Sequence, residues 1–102
     1  MKETANEPKW TFITNHAVVL SRISHDPVIT AGNLAEIIGI TERAVRRIIS
    51  ELHREGYILK FKEGRRVRYA INHDSPLRHK ALREKAVGDL LQILGSMESK
   101  PG

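Results

Sequence analysis

The spacing of apolar residues along the chain changes abruptly at Gly56. Before this glycine, apolar residues recur at the i, i+3, i+4, i+7 spacing of an amphipathic helix, at Val45, Ile48, Ile49 and Leu52. After it, apolar and polar residues alternate, first through residues 57–62 and then through residues 66–71. Since alternation is the period of a strand and the two runs meet around Gly64, the sequence predicts a helix followed by an antiparallel hairpin.

Two more helices are predicted upstream. Thr14 or Asn15 can cap a helix that continues to about His25, with one apolar face formed by Val19, Leu20 and Ile23. After a short extended piece, Thr30 can cap a second helix that continues to Ile38. The region before the hairpin is therefore expected to hold three helices.

The second and third helices are joined by a three-residue turn. Gly39 stands where the chain must adopt a left-handed conformation to end a helix, which glycine does without steric cost. Thr41 can cap the third helix, predicted over residues 42–55, and Glu42 places a negative charge at the positive end of its dipole. Together these features indicate a mainly α fold with a small β-hairpin.

An additional C-terminal helix is predicted to begin at Ser75-Pro76, because a cap followed by proline is typical of a helix start. Its apolar positions include Leu77, Leu82, Val87, Leu90, Leu91 and Leu94. The chain then divides into a flexible arm (residues 1–9), a domain (residues 10–74), this helix (residues 75–97) and a flexible tail (residues 98–102).

The positive charge of the chain is concentrated in one quarter of its length. The 102 residues include 17 Lys and Arg and 12 Asp and Glu, for a formal net charge of +5. Residues 43–68 hold nine of the basic residues and three of the acidic ones, so this segment carries +6 and the rest is nearly neutral. A clustered basic surface on a small domain is typical of a nucleic-acid binder.

The order of these elements resembles the winged helix-turn-helix. In that fold a small residue stands where two helices cross, a glycine follows four residues later, and a β-branched core residue comes six further on. Ala35, Gly39 and Val45 have this spacing, and the flanking apolar positions are Leu34, Ile38, Ile40 and Ile48. The hairpin resembles the wing, with Gly64 at its tip. The resemblance extends over residues 10–72 and is greatest to small transcriptional regulators of the MarR and ArsR type.

This resemblance implies a sequence-specific DNA-binding transcriptional regulator whose third helix lies in the major groove. The residues that would then face the duplex are Thr41, Glu42, Arg43, Arg46, Arg47 and Ser50. The three arginines could read guanine through paired hydrogen bonds, and Thr41 with the amides beside it could hold a phosphate. The basic residues of the wing would contact the DNA backbone or the minor groove, and these are Lys62, Arg65, Arg66 and Arg68.

Other interpretations of the same residues remain open. The arginines of the third helix could form an ordinary solvated face, with Arg47 and Glu51 as a spaced ion pair. The fold could also serve as a protein–protein adaptor that does not bind DNA specifically. Tyr57, Phe61 and Tyr69 could stack on bases, but their alternation along the hairpin favours packing against the domain.

The last helix is expected to mediate dimerisation through Val87, Leu90, Leu91 and Leu94. A domain this small offers little internal surface to cover an apolar terminal helix, so pairing with a second copy is favoured over folding back on the first helix. A two-fold homodimer would bind a pseudo-palindromic double-stranded operator.

Several functional classes are not expected from the sequence. The chain lacks Cys, which excludes disulfides and thiolate metal sites, and its five histidines are scattered. We expect no enzyme, metal or cofactor, because no nucleophile, base and oxyanion hole are brought together by the pattern. An effector would have to bind in a dimer cleft or under the wing. Neither a signal sequence nor a membrane span is visible, so a soluble, cytoplasmic protein is expected.

Overall fold

The computed structural model describes residues 13–78 and 80–99, with side chains up to Leu94 in the last helix. The described part contains helices α1 (Asn15–His25), α2 (Ala31–Ile38), α3 (Glu42–Arg54) and α4 (Val87–Ser99), and a 3-10 turn at Lys80–Leu82. Strands β1 (Ile58–Glu63) and β2 (Arg66–Ile71) form one antiparallel sheet. The predicted arm and most of the predicted tail lie outside these residues. The mainly α fold with one hairpin is confirmed.

Each of the first three helices begins at a threonine whose hydroxyl accepts a hydrogen bond from a backbone amide. Thr14 accepts from Ala17, Thr30 from Asn33 at 3.1 Å, and Thr41 from Ala44 at 3.0 Å. Such a bond satisfies one of the amides that the first helical turn leaves without a partner. The predicted helix starts are therefore confirmed.

The turn between α2 and α3 is closed by Gly39. Its φ of +86° is left-handed, and the amides of Gly39 and Ile40 both donate to the carbonyl of Ala35, at 2.8 and 3.2 Å. Because the turn is this tight, α3 crosses α2 directly and buries Val45 completely.

The core lies where α1, α2 and α3 meet, and it is almost entirely aliphatic. Its completely buried side chains include Val19 from α1, Leu34 from α2 and Ile58 from β1. The full cluster contains Val19, Leu20, Ile23, Ile29, Leu34, Val45, Ile48, Ile49, Leu52, Tyr57, Ile58, Val87 and Leu91. Because α4 contributes two of these residues, it packs as part of the same core and lies against α1.

The hairpin has a two-residue loop, Gly64-Arg65, with Glu63 paired to Arg66. Gly64 has a φ of +64°, the left-handed conformation that such a loop demands at its first position. At the other end of the hairpin, the amide of Tyr69 donates to the carbonyl of Pro27 at 2.9 Å. The extended piece predicted over residues 28–30 forms no strand, and this bond to the sheet is made by Pro27, just before it.

The prediction that Phe61 packs against the domain is wrong. Phe61 is 49% exposed and Leu59 is 53% exposed, whereas Ile58 is completely buried. Ile58 pairs with Ile71 in the sheet, so the two residues share one face, and this face packs against the core. Leu59 and Phe61 therefore lie on the outer face of the hairpin.

The predicted start of the last helix is also wrong, because α4 begins at Val87. The Ser75 hydroxyl donates to the carbonyl of Gly56 at 3.2 Å, and its own carbonyl accepts from the amide of Val87 at 2.7 Å. Pro76 forms an antiparallel bridge with Ala86. These long-range bonds hold Ser75-Pro76 in an extended conformation, so the local helix signal is overridden.

Candidate nucleic-acid interface

One face of α3 is polar and open to solvent. The core stripe of this helix contains Val45, Ile48, Ile49 and Leu52, all buried. The predicted DNA-facing residues lie on the exposed side, and these are Thr41, Glu42, Arg43, Arg46, Arg47 and Ser50. This division follows from the 3.6-residue helical period, which keeps the two sets of side chains apart.

The start of α3 lies in a shallow depression lined by Thr41, Arg43, Ala44 and Arg47. The Thr41 hydroxyl already caps the helix through its bond with the Ala44 amide. The partial positive charge of a helix N-terminus and two guanidinium groups are therefore present at the same place. Such an arrangement favours an anionic group, as the sequence predicted for a phosphate.

The four basic residues predicted for the wing are all exposed, and they are Lys62, Arg65, Arg66 and Arg68. Here the wing means the hairpin formed by β1 and β2. Arg68 is held by Glu63, whose Oε2 accepts from its Nε at 3.0 Å. Arg66 lies on the outer face of the hairpin and Arg65 lies in its loop, whereas Lys62 is opposite Val67 on the inner face, near the open tip.

The wing and α3 meet along one cleft of about 370 Å³. From α3 it is lined by Glu42 and Arg46, and from the wing by Arg65 and Arg66; the remaining lining residues are Val28, Ile29, Thr30, Ala31, Gly32, Val67 and Tyr69. Burial raises the pKa of Tyr69, while the positive charge of Arg46 acts in the opposite direction. The structure thus brings the basic residues of the two elements together.

The arginines of this surface fall into two groups. Arg46 is bonded to Glu42 one helical turn away, and Arg68 is bonded to Glu63. In the part of the chain that the structure describes, no ion pair is formed by Arg43, Arg47, Arg65 or Arg66. These four guanidinium groups therefore keep all their donors available.

The alternative pairing of Arg47 with Glu51 is replaced by a contact that sequence reasoning missed. Glu51 lies 2.7 Å from the Nε2 atom of His16 on α1. This hydrogen bond lowers the pKa of the Glu51 carboxyl, burial acts against it, and Arg47 and Arg54 add smaller lowering effects. A bond across 35 positions has no local sequence signal.

Sequence reasoning also missed Thr30 and Tyr69 as residues of the cleft. Thr30 was recognised as a helix cap, and a cap at the start of α2 necessarily lies near the crossing point of α2 and α3. Tyr69 was assigned to packing, and its half-buried ring does line the cleft wall below Arg46.

The residues predicted for dimerisation divide into two pairs. Val87 and Leu91 are 2% and 5% exposed because they pack in the core of this same chain. Leu90 and Leu94 are half-buried, and the neighbouring Ile93 is 64% exposed. The alternative in which α4 folds back on α1 is thus correct for the first pair.

The described residues also bear on metal binding and membrane insertion. Among residues 13–78 and 80–99, no group of three or more His, Asp or Glu could hold a metal ion. None of the helices in the described part of the chain is long and apolar enough to cross a membrane.

Comparison with known proteins places this architecture among DNA-binding folds. The family model described as winged helix-turn-helix DNA-binding matches residues 18–58. No curated protein matches the chain in sequence.

Several solved structures share the fold. A predicted DNA-binding transcriptional regulator from E. coli has a TM-score of 0.55 at 22% identity, over 79% of this chain and 74% of that one. A mutant of MepR from S. aureus has a TM-score of 0.56 at 15% identity, and the match covers 86% of this chain and 59% of that one. A mutant of ZitR from Lactococcus lactis has a TM-score of 0.52 at 18% identity, and the match covers 92% of this chain and 68% of that one. The chain therefore has the winged helix-turn-helix fold, as the resemblance carried by Ala35, Gly39 and Val45 implied.

Proposed function

We propose that this protein is a sequence-specific transcriptional regulator that binds double-stranded DNA. The observation that carries the proposal is the cleft in which Arg46 of α3 lies beside Arg65 and Arg66 of the wing. Two separate elements present cations on one surface, as a protein must if it is to contact a groove and the adjoining backbone together. Two proteins that share the fold support the proposal: the E. coli protein is a predicted DNA-binding transcriptional regulator, and MepR of S. aureus is a transcription regulator of a multidrug efflux pump.

In this proposal α3 enters the major groove and the wing contacts the backbone or the minor groove. The first turns of α3 would reach base edges, where arginine reads guanine O6 and N7. Arg43 and Arg47 are suited to this role because their donors are not engaged by any described acid. Arg65 and Arg66, beside the wing tip, are suited to phosphates.

The test is to select bound duplexes from a random pool and then to measure affinity against salt. A regulator of this kind should enrich one sequence, and its affinity should fall as salt rises because phosphate contacts release counterions. We expect Arg47→Ala to weaken discrimination between bases. We expect Arg65→Ala to weaken binding to all sequences and to reduce the salt slope by about 0.9 for one lost phosphate contact.

The matched control is Arg83→Ala, which removes the same charge outside α3 and the wing. It should leave both the enriched sequence and the salt slope unchanged. The proposal fails if the wild-type protein enriches no sequence and binds no duplex at low salt. Binding to a protein partner that survives replacement of Arg46, Arg47, Arg65 and Arg66 would instead favour the adaptor function.

We further propose that the regulator acts as a homodimer on a pseudo-palindromic operator. Among the α4 side chains that the structure describes, Leu90 and Leu94 are half-buried and Ile93 is 64% exposed, whereas Val87 and Leu91 are buried in the core of the same chain. Half-sites would then lie about one DNA turn apart, roughly 34 Å, or a multiple of it. The MarR-like or ArsR-like type stays a prediction, as does a cytoplasmic location, where such a regulator would reach its operator.

A further inference from the structure

Glu42 is the one acid among the described residues that line the cleft between α3 and the wing. The other charged residues there are Arg46, Arg65 and Arg66. A carboxylate on a surface that binds DNA is unfavourable in the field of the phosphates, unless it has a specific role. Its contacts indicate what that role is.

The two oxygens of the Glu42 carboxylate face different elements. Oε2 accepts from the Nη2 group of Arg46, one turn along α3. Oε1 lies beside the first turn of α2, where a Cβ placed on Gly32 would be 3.7 Å away. The carboxylate is thus located near the positive ends of both helix dipoles, which stabilises its negative charge.

The consequence falls on Arg46, whose guanidinium has five N–H donors in a fixed plane. Glu42 accepts a hydrogen bond at one edge of the guanidinium group, which restricts its orientation and leaves the donors on its other edges available. It also partly neutralises Arg46 and places a negative charge where a DNA phosphate would otherwise approach Arg46. An arginine without such a partner would be attracted to phosphates on any sequence.

We propose that Glu42 is a specificity-determining residue, which positions Arg46 for a base edge and keeps phosphates from binding Arg46. This inference rests on the proposed function. It gives Glu42 a role that lowers the affinity for DNA of any sequence while it raises discrimination between DNA sequences. An exposed i, i+4 ion pair normally contributes little to folding. The effect of Glu42 should therefore be seen in binding rather than in stability.

The experiment compares Glu42→Gln with Glu63→Gln, which removes the same charge from the other ion pair of the surface. The two acids are matched, since their side chains are 49% and 48% exposed and each is bonded to one arginine. Affinity is measured for the duplex that the wild-type protein selects from a random pool and for a scrambled duplex of the same composition, across a range of salt.

We expect Glu42→Gln to bind the scrambled duplex more tightly, with a salt slope steeper by about 0.9 for one added phosphate contact. The ratio of specific to scrambled affinity should fall by about tenfold, the size of one lost arginine–base contact. Glu63→Gln should raise both affinities together and leave the ratio unchanged. In an Arg46→Ala background, Glu42→Gln should no longer change the ratio, because Glu42 acts through Arg46.

Three results would overturn the inference. The first is an unchanged ratio in Glu42→Gln, and the second is an equal loss of ratio in Glu63→Gln. The third is a further loss of ratio when Glu42→Gln is added to Arg46→Ala. Failure of the proposed function is seen separately and earlier, since the wild-type protein would then enrich no sequence from the pool.

Discussion

The Nε2 atom of His16 lies 2.7 Å from Oε1 of Glu51, so a side chain near the start of α1 holds the solvent side of α3. Both side chains are partly exposed, at 47% and 36%. The contact lies on the flank of α3, away from the core stripe that fixes the opposite side of the helix. Together the stripe and this bond restrict rotation of α3 relative to α1.

The first prediction concerns acid stability. The pKa of Glu51 is lowered in the folded state, chiefly by its hydrogen bond with His16. A carboxyl whose pKa is lower in the folded than in the unfolded state stabilises the protein at pH values above its unfolded-state pKa. This contribution is lost as the pH falls through its folded-state pKa. Glu51→Gln should therefore unfold at a lower temperature than wild type at pH 6, and the difference should shrink as pH is reduced to 3.

The measurement is thermal unfolding followed by circular dichroism across that pH range. The control is Glu36→Gln, on the exposed side of α2. The difference between its unfolding temperature and that of wild type should not shrink between pH 6 and pH 3 as it does for Glu51→Gln. A Glu51→Gln difference that stays constant with pH would show that the bond with His16 does not select the ionised carboxylate.

The second prediction concerns the core of α2. Leu34 is completely buried, so Leu34→Ala should reduce the free energy of unfolding by about 2–5 kcal/mol through lost apolar burial and the cavity left behind. Ile37 lies on the same helix but is 48% exposed, and Ile37→Ala should change the free energy of unfolding by only about 0.5 kcal/mol. Urea unfolding of both variants checks this; equal losses would contradict the burial assigned to α2.

The third prediction separates two glycines of the helix-turn-helix. Gly39 has a φ of +86°, so Gly39→Ala should cost about 1–2 kcal/mol even though open space surrounds the position. Gly32 has an ordinary helical conformation, and Gly32→Ala should be neutral or stabilising by up to about 1 kcal/mol. The comparison is again made by urea unfolding, and a neutral Gly39→Ala would exclude the left-handed turn.

The fourth prediction tests the dimer proposed above. Ile93→Asp should convert the protein from dimer to monomer in sedimentation experiments, because it places a charge in the apolar face of α4. Leu82→Asp is the control, since Leu82 is similarly exposed at 49% but lies in the 3-10 turn. If the wild-type protein sediments as a monomer at high concentration, α4 is not a dimer interface.

The parts of the fold that were predicted correctly depend on short-range signals. Thr30, Gly39 and Thr41 each act within three or four residues of their own position, through a cap or a left-handed turn. The exposed basic face of α3 followed in the same way from helical periodicity. The placement of Arg46 beside Arg65 required the wing to fold against α3, which only the family resemblance anticipated.

The errors have a common physical cause, which is competition from distant groups. Both faces of the hairpin carry apolar residues, so alternation could not decide between Ile58 and Phe61; the packing of the Ile58 face against the helices did. Glu51 had a suitable cation at Arg47, but His16 on another helix took its place. Likewise, Ser75 gave a local helix signal that its bonds with Gly56 and Val87 overrode.

The bond between the Val87 amide and the Ser75 carbonyl also bears on which part of the chain can change in length. Because these two backbone groups meet at 2.7 Å, and the amide of Leu77 donates to the carbonyl of Lys85 at 2.9 Å, backbone bonds fix the ends of the segment between Leu77 and Lys85. The entropy of closing a loop changes only slowly with its length. Lengthening this segment should therefore leave α4 in place against α1.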